Sequence, residues 1–191
     1  MTITAVLDAN VLYPLKLRGM LLWVAHLGGF APVWSDIIQD EWTRNLKKNN
    51  PDIDIKKLEK SCYQMNQGFP FSNIAGDEIT TFISKVPELP DPDDKHVVAA
   101  ALASEANYIV TYNLKDFPNR LLNPLGIQAL KPDNFFQLLS EQQPQIVYEG
   151  IEAARKRWKN PPFSIDELLF WMQNNKLTRL STFLETFKTS K

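Results

Sequence analysis

The sequence predicts an α/β fold built on a parallel sheet, followed by a region that is helical only. Two observations carry this reading. Short apolar runs at Ile3–Leu7, Phe30–Trp34, Tyr108–Thr111 and Ile127–Leu130 alternate with segments of helical periodicity through residue 139, the pattern of strands joined by helical crossovers and covered on both faces. Beyond the polar, proline-containing break at Glu141–Pro144 the apolar spacing is helical throughout. Residues 1–140 are therefore read as one α/β domain and 145–191 as a helical extension. The extension is expected to pack on the domain through Ile146, Val147, Ile151, Leu180, Phe183 and Leu184, because about 45 residues alone would have a marginal core.

The first apolar run ends on Asp8, with Asn10 two residues later and Pro14 opening the next segment. In open α/β sheets ligands sit beyond the carboxyl ends of the strands, so an acid here is well placed for chemistry. Leu17, Met20, Leu21 and Val24 keep i, i+3, i+4, i+7 spacing and predict a helix that stops at Gly28-Gly29. After the second strand, Ser35 or Asp36 caps a helix with Ile37, Ile38 and Trp42 facing inward and Arg44, Lys47 and Lys48 outward. Glu41 lies among the inward set, where an unpaired carboxylate is costly unless it meets a partner or a cation. Ile55, Leu58, Cys62 and Met65 mark another helix, whose Lys56, Lys57 and Lys60 form a solvated face. A loop with room for a short strand fills 68–76, and a helix spans about 77–85.

The densest stretch is PDPDDKHVVAAALASEANYIVTYNLKDF, from Pro90 to Phe117. Pro90 and Pro92 disfavour helix before them, and Asp93 or Asp94 can cap the alanine-rich helix after them. Val97, Val98, Ala101 and Leu102 mark its buried face. Tyr108–Thr111 is a strand ended by Asn113 and continued by a turn that presents Asp116. Ile127–Leu130 is an edge strand, and Pro132-Asp133 opens a helix through Leu139. In the C-terminal region Ser164 and Glu167 have capping-box spacing, and Leu180, Phe183, Leu184 and Phe187 again form a stripe. Arg155, Lys156 and Arg157 cluster beside Trp158, a combination suited to phosphate contact and base stacking, and are the candidate nucleic-acid-binding residues.

Composition bounds the answer. Among 191 residues, 21 basic and 22 acidic side chains leave a net charge of −1, so any nucleic-acid binding must come from local patches. One cysteine excludes an internal disulfide and a multi-thiolate zinc site. No apolar run reaches membrane-spanning length and the start MTITAVLDAN lacks a signal-like basic region, so a cytoplasmic protein with no membrane association is expected. No Gly-rich phosphate loop, G-x-S-x-G elbow, HExxH or Cys/His cluster is present. His26 and His96 stand alone and are read as structural or exposed.

Four acids thus stand at element ends or first turns: Asp8, Glu41, Asp94 and Asp116. Gathered together they would repel one another and drift toward protonation, a conflict that a hard divalent cation resolves. Mg²⁺ or Mn²⁺ takes oxygen ligands and can orient a phosphodiester and activate water. Asp91 and Asp93 are expected nearer the rim, one of them contributing through water. In VLDANVLYP, SDIIQDEW, LPDPDDKHVVAAAL and TYNLKDF these acids resemble, in order and on matching elements, the four acidic signatures of PIN-domain ribonucleases. The likeness is nearest to the toxins of VapBC-type toxin–antitoxin pairs and covers about residues 1–139. It implies a three-layer α/β/α sandwich with a central parallel sheet and Mg²⁺- or Mn²⁺-dependent endonuclease activity on RNA. It also implies Asp8, Glu41, Asp94 and Asp116 as the catalytic, metal-holding acids, a cognate antitoxin protein and a homodimer. By the same resemblance Thr111 and Asn113 support the metal site from its rim and Asn10 orients Asp8. Asn113 stands where some members carry a further acid.

Two other readings share the residues: a non-catalytic PIN-fold RNA-binding or scaffold module, and an aspartate-based phosphohydrolase using Asp8. The second wants an acid two residues on, where this chain has Asn10, or an acidic pair before the strand.

Overall fold

The computed structural model describes residues 3–159 and 161–189. In order the chain forms β1 (Thr4–Leu7), α1 (Ala9–Leu12), α2 (Leu15–His26), β2 (Ala31–Ser35), α3 (Asp36–Asn49), α4 (Ile55–Gly68), β3 (Asn73–Ile74) and α5 (Gly76–Ile83). A 3₁₀ turn at Pro92–Asp94 leads into α6 (Lys95–Ala103), then β4 (Tyr108–Val110), α7 (Asn119–Leu122), a second 3₁₀ turn and β5 (Gln128–Leu130). Four helices close the chain: α8 (Pro132–Gln142), α9 (Pro144–Arg157), α10 (Ile165–Asn174) and α11 (Thr178–Thr189). Among the described residues no helix is long and apolar enough to cross a membrane.

Two compact units divide these elements. The first holds the residues up to Pro14 and Ala31–Leu130, the second Leu15–Phe30 and the residues from Lys131 on. The grouping differs from a split at 140–145, since α2 and α8 belong with the C-terminal helices. Gln143 separates α8 from α9.

In the first unit five parallel strands take the order β3-β2-β1-β4-β5. The α/β class with a parallel sheet and β5 at an edge is therefore as the sequence indicated. Ala5, Val6 and Leu7 are 0% exposed, as a central parallel strand requires, and this is why the run is continuously apolar rather than alternating. The chain winds outward from β1 to β3, then returns to lay β4 on the other side of β1. The order therefore reverses between β1 and β4, the place where open sheets bind ligands. Ser35 caps α3 by accepting from the Ile38 N–H at 3.2 Å, and Ile38 and Trp42 are fully buried. Ile37, expected to face inward, is exposed instead: the buried positions 38, 39 and 42 put it on the far side of the stripe. Trp34 Nε1 and Gln39 Nε2 both donate to Asn66 Oδ1, at 2.9 and 3.0 Å, tying β2 and α3 to α4. His96–Ala101 of α6 are all buried, and its alanines let the helix lie close to β1, β2 and β4.

In the second unit α2 packs on α9, α8 on α9 and α11, and α10 on α11. Leu17, Met20, Leu21 and Val24 form the predicted stripe, each at most 1% exposed. A Cβ on Gly150 would come 2.8 Å from Val24 Cα, so only glycine permits α9 to approach α2 this closely. The capping box of Ser164 and Glu167 is formed. Asp133 at the start of α8 accepts from the backbone N–H groups of Leu180 (3.0 Å) and Arg179 (3.2 Å), capping α11 from another helix.

Candidate active site

Pairing of β1 with β4 sets Leu7 opposite Val110, so the next residue of each strand, Asp8 and Thr111, leaves the sheet beside the other. Asp8 is 5% exposed and Thr111 0%. Thr111 Oγ1 donates to Asp8 Oδ2 at 2.6 Å, and the Asn10 side-chain amide donates to the same oxygen. Asn10 also reaches Thr111 Oγ1 at 2.9 Å and accepts from the Tyr112 N–H at 3.0 Å. The Asn113 N–H closes the network on Thr111 Oγ1 at 3.0 Å. One oxygen of Asp8 is thereby fixed by two donors, Thr111 from the end of β4 and Asn10 from α1.

Asp94 ends the 3₁₀ turn that precedes α6, and Asp116 ends the turn after β4, where its N–H donates to the Asn113 carbonyl at 3.2 Å. The Asn113 side-chain amide donates to Asp116 Oδ2, and exposed Lys115 Nζ is 3.9 Å from the same atom. Asp91, Asp94 and Asp116 each bring one carboxylate oxygen within 4.8 Å of the others. A hard cation with ligands at about 2.1 Å spaces its oxygens up to roughly 4 Å apart, so the trio is close to the size such an ion needs. Asp94 Oδ2 is buried and has no hydrogen-bond partner among the described residues, a state that a cation ligand relieves and that a capping residue would not leave. Hard carboxylate donors and an orphaned buried oxygen fit a divalent ion.

Of the two rim candidates, Asp91 joins the trio and Asp93 does not. Asp91 Oδ1 accepts from the Asp93 N–H at 3.0 Å, and this cap turns the exposed Asp93 side chain outward while holding Asp91 beside Asp94. Proline at 92 fixes the tight turn that makes the exchange.

Glu41 approaches from α3. Its Oε1 lies 3.0 Å from His96 Nε2. His96 is 8% exposed, so the reading of this histidine as isolated is corrected by the fold. The signal was present in the sequence: a helix buried on all sides leaves no solvent for an imidazole, which must then find a polar partner.

Charge accumulates at this end of the sheet. Burial pushes the Asp8 carboxyl above its usual range against the opposing Thr111 hydroxyl and Ala9 N–H; the negative charge of Glu41 adds to the rise and His96 opposes it. Asp94 is raised to about 7, first by burial and then by the charges of Asp8, Asp91 and Asp116, with His96 again opposing. Asp8 and Asp116 thus act on Asp94 as near neighbours, and Glu41 acts on Asp8.

The candidate RNA-binding cluster in the second unit is largely engaged. Arg155 makes two 2.8 Å bonds to the Glu152 carboxylate and a third to the Phe163 carbonyl. Trp158 packs near Gly19 and edge-on to Phe163, with Lys16 Nζ 5.9 Å from its ring, which removes it as a free stacking surface. Arg157 lies over Trp23 at 5.1 Å. Lys156 and Arg157 remain exposed.

Residues 4–115 match the family model of the PIN domain, and residues 132–186 match that of the VapC50 C-terminal domain. Over 79 residues the chain is 44% identical to a Mycobacterium tuberculosis (strain ATCC 25618 / H37Rv) protein named "Putative ribonuclease VapC50"; the aligned stretch covers 40% of this chain and 45% of that relative. No solved structure matches it. The PIN-domain match extends over more than half of the sequence, and the chain belongs to the PIN-domain family.

Proposed function

We propose that this chain is a divalent-metal-dependent endoribonuclease that hydrolyses RNA phosphodiester bonds, and that it is the toxin of a VapBC-type toxin–antitoxin pair. The observation that carries the reading is the acidic cluster at the β1/β4 switch point of a PIN-family chain, with one buried Asp94 oxygen left without a hydrogen-bond partner among the described residues. The cleavage chemistry belongs to residues 1–140. Asp8, Glu41, Asp94 and Asp116 hold Mg²⁺ or Mn²⁺, with Asp91 joining from the rim.

The protein's own residues do the positioning. Thr111 and Asn10 fix Asp8, and Asn113 fixes Asp116. Exposed Lys115 offers a cation for the RNA backbone at the mouth of the site. When bound, the cation supplies Lewis acidity for the attacking water and offsets the charge that develops on phosphate. In the reaction a water oxygen bonds to phosphorus and the bond to the 3′ oxygen breaks; no side chain forms a covalent intermediate. A cognate antitoxin protein, a homodimeric state and a cytoplasmic location belong to the same reading.

The test is incubation of purified protein with a mixed RNA pool in Mn²⁺, with EDTA and Asp8→Asn as controls. Cleavage that is lost in both controls is expected. Equal cleavage by wild type and Asp8→Asn removes the enzymatic reading.

A further inference from the structure

His96 is a buried imidazole facing the acidic cluster, and its two nitrogens have unequal surroundings. Nε2 lies 3.0 Å from Glu41 Oε1, 55 positions away in sequence, whereas Nδ1 is buried with no hydrogen-bond partner among the described residues. A buried N–H with no acceptor costs more than a bare ring nitrogen does, because the positive hydrogen loses its water with nothing in return. The hydrogen therefore belongs on Nε2, where it is donated to Glu41. The Glu41 side chain has three rotatable torsions, is 28% exposed, and feels the like charge of Asp8. Nothing in α3 alone would keep such a carboxylate turned toward other acids rather than toward water.

We infer that His96, donating from Nε2, is a positioning residue that holds the Glu41 carboxylate against the acidic cluster and so preserves Glu41 as a ligand for the divalent cation. The inference rests on the proposed function for the identity of that cation. It makes His96 part of the machinery without contact to RNA, and it distinguishes the residue from a core histidine that merely fills α6.

Three variants test it: His96→Gln, whose amide Nε2 donates from a similar reach; His96→Leu, which keeps bulk and removes the donor; and Glu41→Gln. Mn²⁺ binding is measured by calorimetry without RNA, RNA cleavage is measured separately, and a melting curve checks each fold. His96→Leu is expected to weaken Mn²⁺ binding about tenfold or more, as removal of outer partners of metal ligands does, and His96→Gln to stay within about threefold of wild type. In the metal-free wild type, long-range ¹H–¹⁵N spectra are expected to show hydrogen on Nε2, with a shift that changes in Glu41→Gln. This last measurement decides the matter even where His96→Leu fails to fold. Equal Mn²⁺ binding by the Leu and Gln variants, or hydrogen on Nδ1, overturns the inference. Mn²⁺ binding without RNA cleavage by the wild type sinks the ribonuclease reading and leaves the role of His96 standing. Failure of the wild type to bind Mn²⁺ overturns both.

Discussion

Asp94 in the first unit and Asp133 in the second are both aspartates at helix starts, and their surroundings are opposite. Asp133 meets backbone N–H donors from Leu180 and Arg179 with the Thr178 hydroxyl at 3.5 Å. Among the described residues Asp94 keeps a buried oxygen with no donor, and its near neighbours are other carboxylates. The same contrast separates Arg155, locked to Glu152 and Phe163, from the crowded acids around Asp8. Charge that is balanced from within serves the fold; charge left unbalanced is held ready for something from outside.

The strongest way to break this contrast is at Asp8. Asp8→Asn is expected to lower RNA cleavage at least about a thousandfold, ~4 kcal/mol of transition-state stabilisation, while the metal-free melting temperature stays level or rises because like-charge repulsion falls. A kinetic assay beside a melting curve reads both. Asp133→Ala should do the reverse. It strips the α11 start of its acceptor and is expected to cost about 1–2 kcal/mol of stability in denaturant unfolding, with cleavage per folded molecule unchanged.

The Asp94 contribution is smaller and depends on pH. Its carboxyl value is near 7 when folded against an ordinary 3.8, so between these values the folded chain retains a proton that the unfolded chain has released. Stability of the metal-free protein therefore falls as pH rises through this window and levels above it. Asp94→Asn removes the penalty. Melting of the metal-free variant should exceed wild type at pH 8 by the equivalent of about 1–2 kcal/mol after solvent screening, with no gain at pH 3. An equal gain at both pH values would mean that ionising the buried, acid-crowded Asp94 is not what costs the fold. The smallest effect is expected at Arg155→Lys, which keeps the charge but loses the fork on Glu152; about 0.5–1 kcal/mol of stability should go, with RNA cleavage intact.

Much of this contrast is readable in the sequence. Apolar runs mark β1, β2 and β4 because central parallel strands bury both faces, and acids at a strand end and on the turn after one point to Asp8 and Asp116. Two-residue β3 and one-turn α1 and α7 carry too few positions for a period to show. Asp91 and Asp93 are separable only through the cap across Pro92, a choice of backbone geometry rather than composition. His96 reads as isolated because its partner lies 55 positions away on another helix. The Glu152 partner of Arg155 is legible as an i,i+3 pair on one helix, whereas Phe163 and Gly19 meet Arg155 and Trp158 only in the folded chain.

The bond from Thr111 to Asp8 spans 103 positions, and that from Tyr112 to Asn10 spans 102. A chain growing from its amino end thus holds Asp8 and Glu41 long before β4 exists to pair with β1. Such distant pairings form slowly, since the intervening loop must be closed before they repay its entropy. The centre is completed only after residue 116 has been added and the two strands have met, so a nascent or truncated chain carries the acids harmlessly scattered. For an enzyme proposed to attack RNA, the order of assembly itself delays the hazard until the turn that carries Asp116 has been made and β4 has met β1.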